Sequence, residues 1–168
     1  EHLWTVQTRK MKNTSGNYLT LTLKEIVERG VTYNSGDYKF AVPLSGAIDY
    51  SAKLLPIHPY VLGVLLGDGE LGGSSVTVSK VGKDREIFER IATLLPEEIV
   101  PRKSCFQGDT QRLHLIVPKA LREDNPLLNE LGKLGLRVSG SKKFIPELYL
   151  QGSISQRLDL LKGLMDTD

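Results

Sequence analysis

Two apolar stretches one hundred positions apart, Leu62-Gly-Val-Leu-Leu-Gly-Asp68-Gly69 and Leu161-Lys-Gly-Leu-Met-Asp-Thr-Asp168, constrain this chain more than any other feature. Aligned, they set Gly63 on Gly163, Gly67 on Thr167 and Asp68 on Asp168, so small residues recur four apart with an acid directly after. On a helix, positions four apart share a face, one turn above the other. Small side chains at that spacing let two backbones approach closely, a steric logic best known from membrane helices. The two stretches are therefore expected to pack against each other and to finish with their carboxylates side by side. Paired carboxylates repel, which raises a pKa or recruits a cation, and oxygen donors of this kind suit a hard divalent ion such as Mg2+. A metal site that stabilises attacking and leaving oxygens is one solution to phosphodiester cleavage.

A second signal, Lys142-Lys143-Phe-Ile-Pro146, stands ahead of the second stretch, with Lys143 twenty-five positions before Asp168. A cation there would stabilise charge developing on a phosphate or help polarise a water. Taken alone, a lysine beside a helix start is more often a solvated surface group.

The chain divides near Leu55. Residues 1–55 read mainly as strands, with alternation in Leu3 to Thr8 and Tyr18 to Leu23 and an apolar run from Tyr38 to Val42. One short helix is expected over Lys24 to Arg29, stopped by Gly30, and turn-rich stretches run from Asn13 to Asn17 and from Asn34 to Asp37. Residues 56–168 alternate helices and strands. Pro56 and Pro59 suit a helix entrance, and Gly67 and Gly69 an exit. A strand is expected from Ser74 to Lys80 and an amphipathic helix from Lys83 to Leu95. A hairpin should follow over Ile99 to Gln107 and Gln111 to Val117, then a helix from Asn125-Pro126 to near Gly135. The fold class is α+β.

Alternation also proposes a polar sheet surface. Ser75, Thr77 and Ser79 face away from Val76 and Val78, and Arg112 and His114 face away from Leu113, Leu115 and Val117. Arginine can read guanine bidentately, whereas serine and threonine give less selective contacts. Lys80, Arg102, Lys103, Ser104 and Lys142 are further candidates for contact with DNA, the register of Ile99 to Gln107 being ambiguous because neither face is cleanly apolar. Net charge is only +2, but nine basic residues stand against four acids between Arg102 and Lys143. Such a patch can neutralise phosphates, although clustered charge is more often a solvated face.

Composition removes several alternatives. A single cysteine, Cys105, excludes an internal disulfide and multi-cysteine metal sites, and reads as a small buried hydrophobe. His2, His58 and His114 share no metal-ligand spacing, and no phosphate-loop or Gly-x-Ser-x-Gly pattern occurs. No apolar run is long enough for a bilayer and no signal core opens the chain, so an intracellular, cytoplasmic protein without a membrane partner is expected.

The motif pair and the Lys-x-Ile-Pro segment resemble those of the LAGLIDADG homing endonucleases in the form carried by inteins. The resemblance implies an αββαββα repeat over residues 56–168, followed by the first helix of a second repeat, provided one more strand hides between Gly69 and Lys80. It implies that Gly63, Gly67, Gly163 and Thr167 pack at a pseudo-twofold interface. Asp68 and Asp168 would be the catalytic, Mg2+-binding acids and Lys143 a catalytic lysine, while Asp166 matches an acidic motif position that is not catalytic. Residues 1–55 would be a partial β-rich splicing-domain segment, and His2 matches the histidine that assists the first splicing step. The implied activity is hydrolysis of double-stranded DNA at a long specific site, for the homing of an element inserted in a host protein. Splicing by this chain alone is not expected, because the junction residues are absent from it. A DNA-binding module that has lost cleavage, and a splicing fragment, are the alternatives.

Overall fold

The chain separates into two compact units, Glu1–Ala47 and Ile48–Asp168, of mixed α+β class. A computed structural model describes residues 2–14, 16–81, 85–104, 106–121 and 124–167, without the side chains of Lys80, Val81 and Arg85.

In the first unit, strands β1 (Leu3–Thr8), β2 (Leu19–Thr22) and β3 (Phe40–Ala41) form an antiparallel sheet in the order β2-β1-β3. Period-two alternation turns Val6 and Leu21 inward. Helix α1 (Arg9–Thr14) follows β1 directly, and α2 (Leu23–Glu28) follows β2. The α2 start is set by a reciprocal cap. The Glu25 N–H donates to the Thr22 hydroxyl, and the Thr22 N–H donates to the Glu25 carboxylate at 2.7 Å. Gly30 leaves that helix at φ 79°, a conformation that favours glycine. The turn-rich reading around Asn13 missed α1 because that helix buries no residue and so leaves no apolar period.

The second unit runs α3 (Pro59–Asp68), β4 (Gly69–Glu70), β5 (Val76–Val81), α4 (Arg85–Leu94), β6 (Val100–Lys103), β7 (Thr110–Ile116), α5 (Pro126–Lys133), α6 (Glu147–Leu150) and α7 (Ile154–Met165). All neighbours in its sheet, ordered β4-β5-β7-β6, are antiparallel. Strand β4 is the extra strand between Gly69 and Lys80. Two residues are too few to leave a pattern. Strand β5 starts at Val76 rather than Ser74 and β6 ends at Lys103. Lys83, expected to open α4, lies outside the described residues, as does Cys105 in the hairpin.

Helix α3 begins where the His58 ring accepts the Tyr60 N–H and Pro59 takes the first helical position, which needs no donor. Every residue from Pro59 to Leu66 is buried. A helix apolar on all sides belongs in the interior, and α3 indeed contacts β5, α4 and α7. From the sheet and the outer helices, Val76, Val78, Leu113, Leu115, Ile91 and Leu131 complete the core. The chain leaves α3 without a loop: Gly69 is extended at φ −76° and opens β4 at once, where a Cβ would stand 2.8 Å from the Leu65 Cα.

The α3–α7 contact is backbone on backbone. A Cβ added to Gly63 would lie 2.9 Å from the Gly163 Cα and 2.9 Å from the Leu164 nitrogen. One added to Gly163 would lie 3.0 Å from the Gly63 Cα and 2.9 Å from the Val64 nitrogen. These neighbours match under the hundred-residue offset, so the two helices are related by a local pseudo-twofold.

This packing predicts opposite signs for one substitution. Gly63→Ala and Gly163→Ala should each cost about 1–3 kcal/mol, because backbone cannot yield as a side chain can. Gly132→Ala in α5, whose Cβ would meet only the Arg137 side chain at 3.7 Å, should be neutral or stabilise by up to about 1 kcal/mol. Urea unfolding of the three variants measures this, and equal effects at the three sites would contradict the close crossing.

Candidate active site and nucleic-acid interface

Contact between α3 and α7 advances from Gly63 against Gly163 to Gly67 against Thr167. The helices are therefore parallel and their C-terminal ends finish together. The Thr167 hydroxyl donates to the Leu164 carbonyl at 2.7 Å, which holds the side chain over Gly67. Asp68, half-buried, is the last residue of α3, and lines a shallow depression with Gly67, Leu164, Met165 and Thr167. Asp168 lies outside the described residues.

Lys143 reaches this end from far along the chain. Its ammonium donates to the carbonyls of Leu65 at 3.2 Å, Leu66 at 3.1 Å and Gly67 at 3.3 Å. The last carbonyls of a helix lack intrahelical donors and carry the negative end of its dipole, so a cation suits this end, although the Leu65 carbonyl also accepts the Gly69 N–H. Burial pushes the Lys143 pKa below the ordinary value of 10.5, and the nearby Asp68 carboxylate pulls it back up. The residues that follow anchor the lysine. Pro146 is buried at the start of α6, and the Tyr149 hydroxyl both accepts the Ile57 N–H at 3.1 Å and donates to the Ile57 carbonyl at 2.8 Å. Burial, first of all, drives that phenol up to about 12. Lys142 is exposed on the preceding 3-10 turn and does not share the site.

Among the described residues no group of three or more His, Cys, Asp or Glu gathers around one point. Mg2+ needs no such cage, because it is held by one or two carboxylates and keeps several waters. The Asp68 carboxylate beside a negative helix end is a donor of that kind, while Lys143 occupies the neighbouring carbonyls.

Sequence reasoning passed over one cluster. The Tyr60 hydroxyl donates to Asp166 Oδ2 at 2.6 Å, and the Arg90 guanidinium lies 3.9 Å from the Tyr60 ring centre and 4.0 Å from the same carboxylate oxygen. Burial, followed by the Asp166 hydrogen bond and charge, raises the Tyr60 pKa. Under the pseudo-twofold these positions correspond to Leu160 and Leu66, so the polar pair has an apolar counterpart. Tyr60 and Asp166 lie 106 residues apart, and no local pattern announces the pair.

The sheet brings most of the proposed DNA-facing residues onto one face. Register sets Glu70 opposite Thr77, Thr77 opposite His114 and His114 opposite Arg102, a row across all four strands. Ser79 opposes Arg112 in the next outward row, and the Arg112 N–H donates to the Ser104 hydroxyl at 3.1 Å. Arg102 and Arg112 are exposed, and Ser79 and His114 half-buried; Ser75 is exposed in the bends before β5. Two expectations are corrected. Thr77 is buried, 7% exposed, because it sits mid-row, and its hydroxyl donates to Glu70 Oε2 at 3.2 Å. Lys103 pairs with Leu113, so alternation puts it on the face opposite Arg102. Lys80 of β5 pairs with Gln111 of β7. Arg122 of the basic stretch lies outside the described residues, and His2 is exposed just before β1. No helix among the described residues is long and apolar enough to cross a membrane.

No family model matches the chain. Over 122 residues it is 31% identical to the replicative DNA helicase DnaB of Mycobacterium intracellulare, an alignment that takes in 73% of this chain. The chain spans only 16% of that helicase's length.

The lysine makes a prediction about pH. The folded chain releases the Lys143 proton before the unfolded chain does, so this group penalises folding at neutral pH. The penalty fades as pH climbs through the folded pKa and is gone above 10.5. Because Asp68 pulls that pKa upward, Asp68→Asn should lower it further. NMR titration of the lysine side-chain signals reads this directly, and an unchanged Lys143 titration in Asp68→Asn would contradict their proximity.

Proposed function

We propose that this chain is a segment of an intein-borne LAGLIDADG homing endonuclease, which cleaves double-stranded DNA at a long specific site. The observation that carries this reading is the parallel crossing of α3 and α7 on Gly63 and Gly163, with Asp68 at the shared end and Lys143 on the α3 carbonyls. Residues 56–168 then supply the first αββαββα repeat and the opening helix of the second. The element order α3-β4-β5-α4-β6-β7-α5 supports that assignment. Residues 1–55 are the splicing-domain segment, to which His2 belongs, together with its linker; the small β-rich sheet lies within the compact unit Glu1–Ala47. The similarity to a piece of DnaB amounting to 16% of that helicase fits an element inserted in such a host.

In this reading Asp68 and Asp168 would hold Mg2+, which would supply Lewis-acid stabilisation of charge developing on the phosphate. Lys143 holds positive charge beside the scissile phosphate and, by its grip on three carbonyls, fixes the end of α3. Arg102, Arg112, His114 and Ser79 face the duplex. A scaffold that binds DNA without cutting it is the second reading, and the presence of Asp68 and Lys143 at one helix end argues against it.

The test uses the full-length parent protein and a duplex spanning the uninterrupted insertion site. Asp68→Asn and Asp168→Asn should each abolish Mg2+-dependent double-strand cleavage while leaving the dissociation constant for the duplex within a few-fold of the parent's. Lys143→Ala should slow cleavage at least about tenfold more than it weakens binding. Binding without cleavage by the unsubstituted protein would establish the non-cutting reading, and undiminished cleavage by either Asn variant would remove that acid from the mechanism.

A further inference from the structure

The polar face of the second unit's sheet carries one acid in its four-strand row, Glu70, and that acid is anchored. Register puts Glu70 on the same face as Thr77, His114 and Arg102. Its side chain is exposed, yet Oε2 accepts the hydroxyl of the buried Thr77 at 3.2 Å. A threonine has a single hydroxyl proton, and here it goes to Glu70, which tethers one carboxylate oxygen to β5.

Such a group is out of place on a surface that merely neutralises phosphate. A carboxylate brought toward a duplex is repelled by every phosphate and loses its water, whatever the base sequence. It recovers that loss only against a donor. The donors that base pairs present in the major groove are exocyclic amino groups, and the geometry of cytosine N4 matches an acidic side chain. Resting on the DNA-binding reading given above, we infer that Glu70 is a specificity-determining residue: it accepts a hydrogen bond from the N4 amino group of a cytosine and penalises sites that lack one at that position. Thr77 is its positioning residue. At the other end of the row the exposed Arg102 offers the reverse preference, because a guanidinium pairs with guanine O6 and N7. A role in metal binding is a different matter, since it would alter cutting and leave base preference untouched.

The two side chains make separate predictions. Glutamine reads adenine N6 and N7 where glutamate reads cytosine, and it keeps an amide oxygen to accept the Thr77 proton. Full-length parent, Glu70→Gln and Thr77→Val are each used to select duplexes from a pool randomised over the binding site, and the bound fraction is sequenced. The unsubstituted protein should favour cytosine at one position by about tenfold or more. Glu70→Gln should move that single position toward adenine, and Thr77→Val should blunt it, with all other positions unchanged in both. If Glu70→Gln tightens binding to every sequence alike, Glu70 only repels phosphate and the inference is overturned; an unchanged preference overturns it as well. Failure of the unsubstituted protein to enrich any duplex would sink the DNA-binding reading itself, an outcome distinct from the other two.

Discussion

Everything at the candidate site descends from one steric fact, the approach of α3 and α7 with no side chain between them at Gly63 and Gly163. Contacts between long side chains tolerate sliding and rotation. Backbone against backbone fixes both at once, because the next residue along either helix would collide. Parallel alignment then brings together two helix ends of the same sign. Their dipoles add, and the negative potential must be offset by cations. Lys143 answers that need at the α3 end with three carbonyl contacts.

The pseudo-twofold holds for the backbone and breaks in the side chains. Tyr60 and Asp166 form a polar pair steadied by Arg90, where the symmetric positions hold Leu160 and Leu66. Val61 and Leu65 of α3 are buried, whereas their counterparts Leu161 and Met165 are exposed at 51% and 63%. Helix α3 is thus a central core element and α7 a surface one, although their glycine positions correspond one to one. The contrast lies in what each helix packs against, since their glycine faces are equivalent.

How much of this was legible depended on whether a feature leaves a period. The crossing could be read because small residues four apart are a helical pattern, and repetition made it specific. Lys143 stands in a recognisable local segment, but its three carbonyl partners lie 76 to 78 residues away and no spacing encodes them. Alternation gave the faces of β5 and β7 correctly. It failed for β6, where Pro101 and Arg102 interrupt the pattern and only the pairing of Lys103 with Leu113 decides the register. Alternation turns Thr77 outward, yet its burial comes from its place between the two flanking strands β4 and β7, which one strand's sequence does not reveal. Helix α1, apolar on no face, and β4, two residues long, had no period to offer.

Under the proposed function, Asp68 and Asp168 share one cation. Paramagnetic broadening tests it most directly, by following the 13C carboxylate signals of both residues in the DNA-bound full-length protein while Mn2+ is added below stoichiometry. The two signals should broaden together at the same Mn2+ concentration, and Asp68→Asn should remove the effect at Asp168. Broadening of one carboxylate without the other, or at clearly different concentrations, would contradict it.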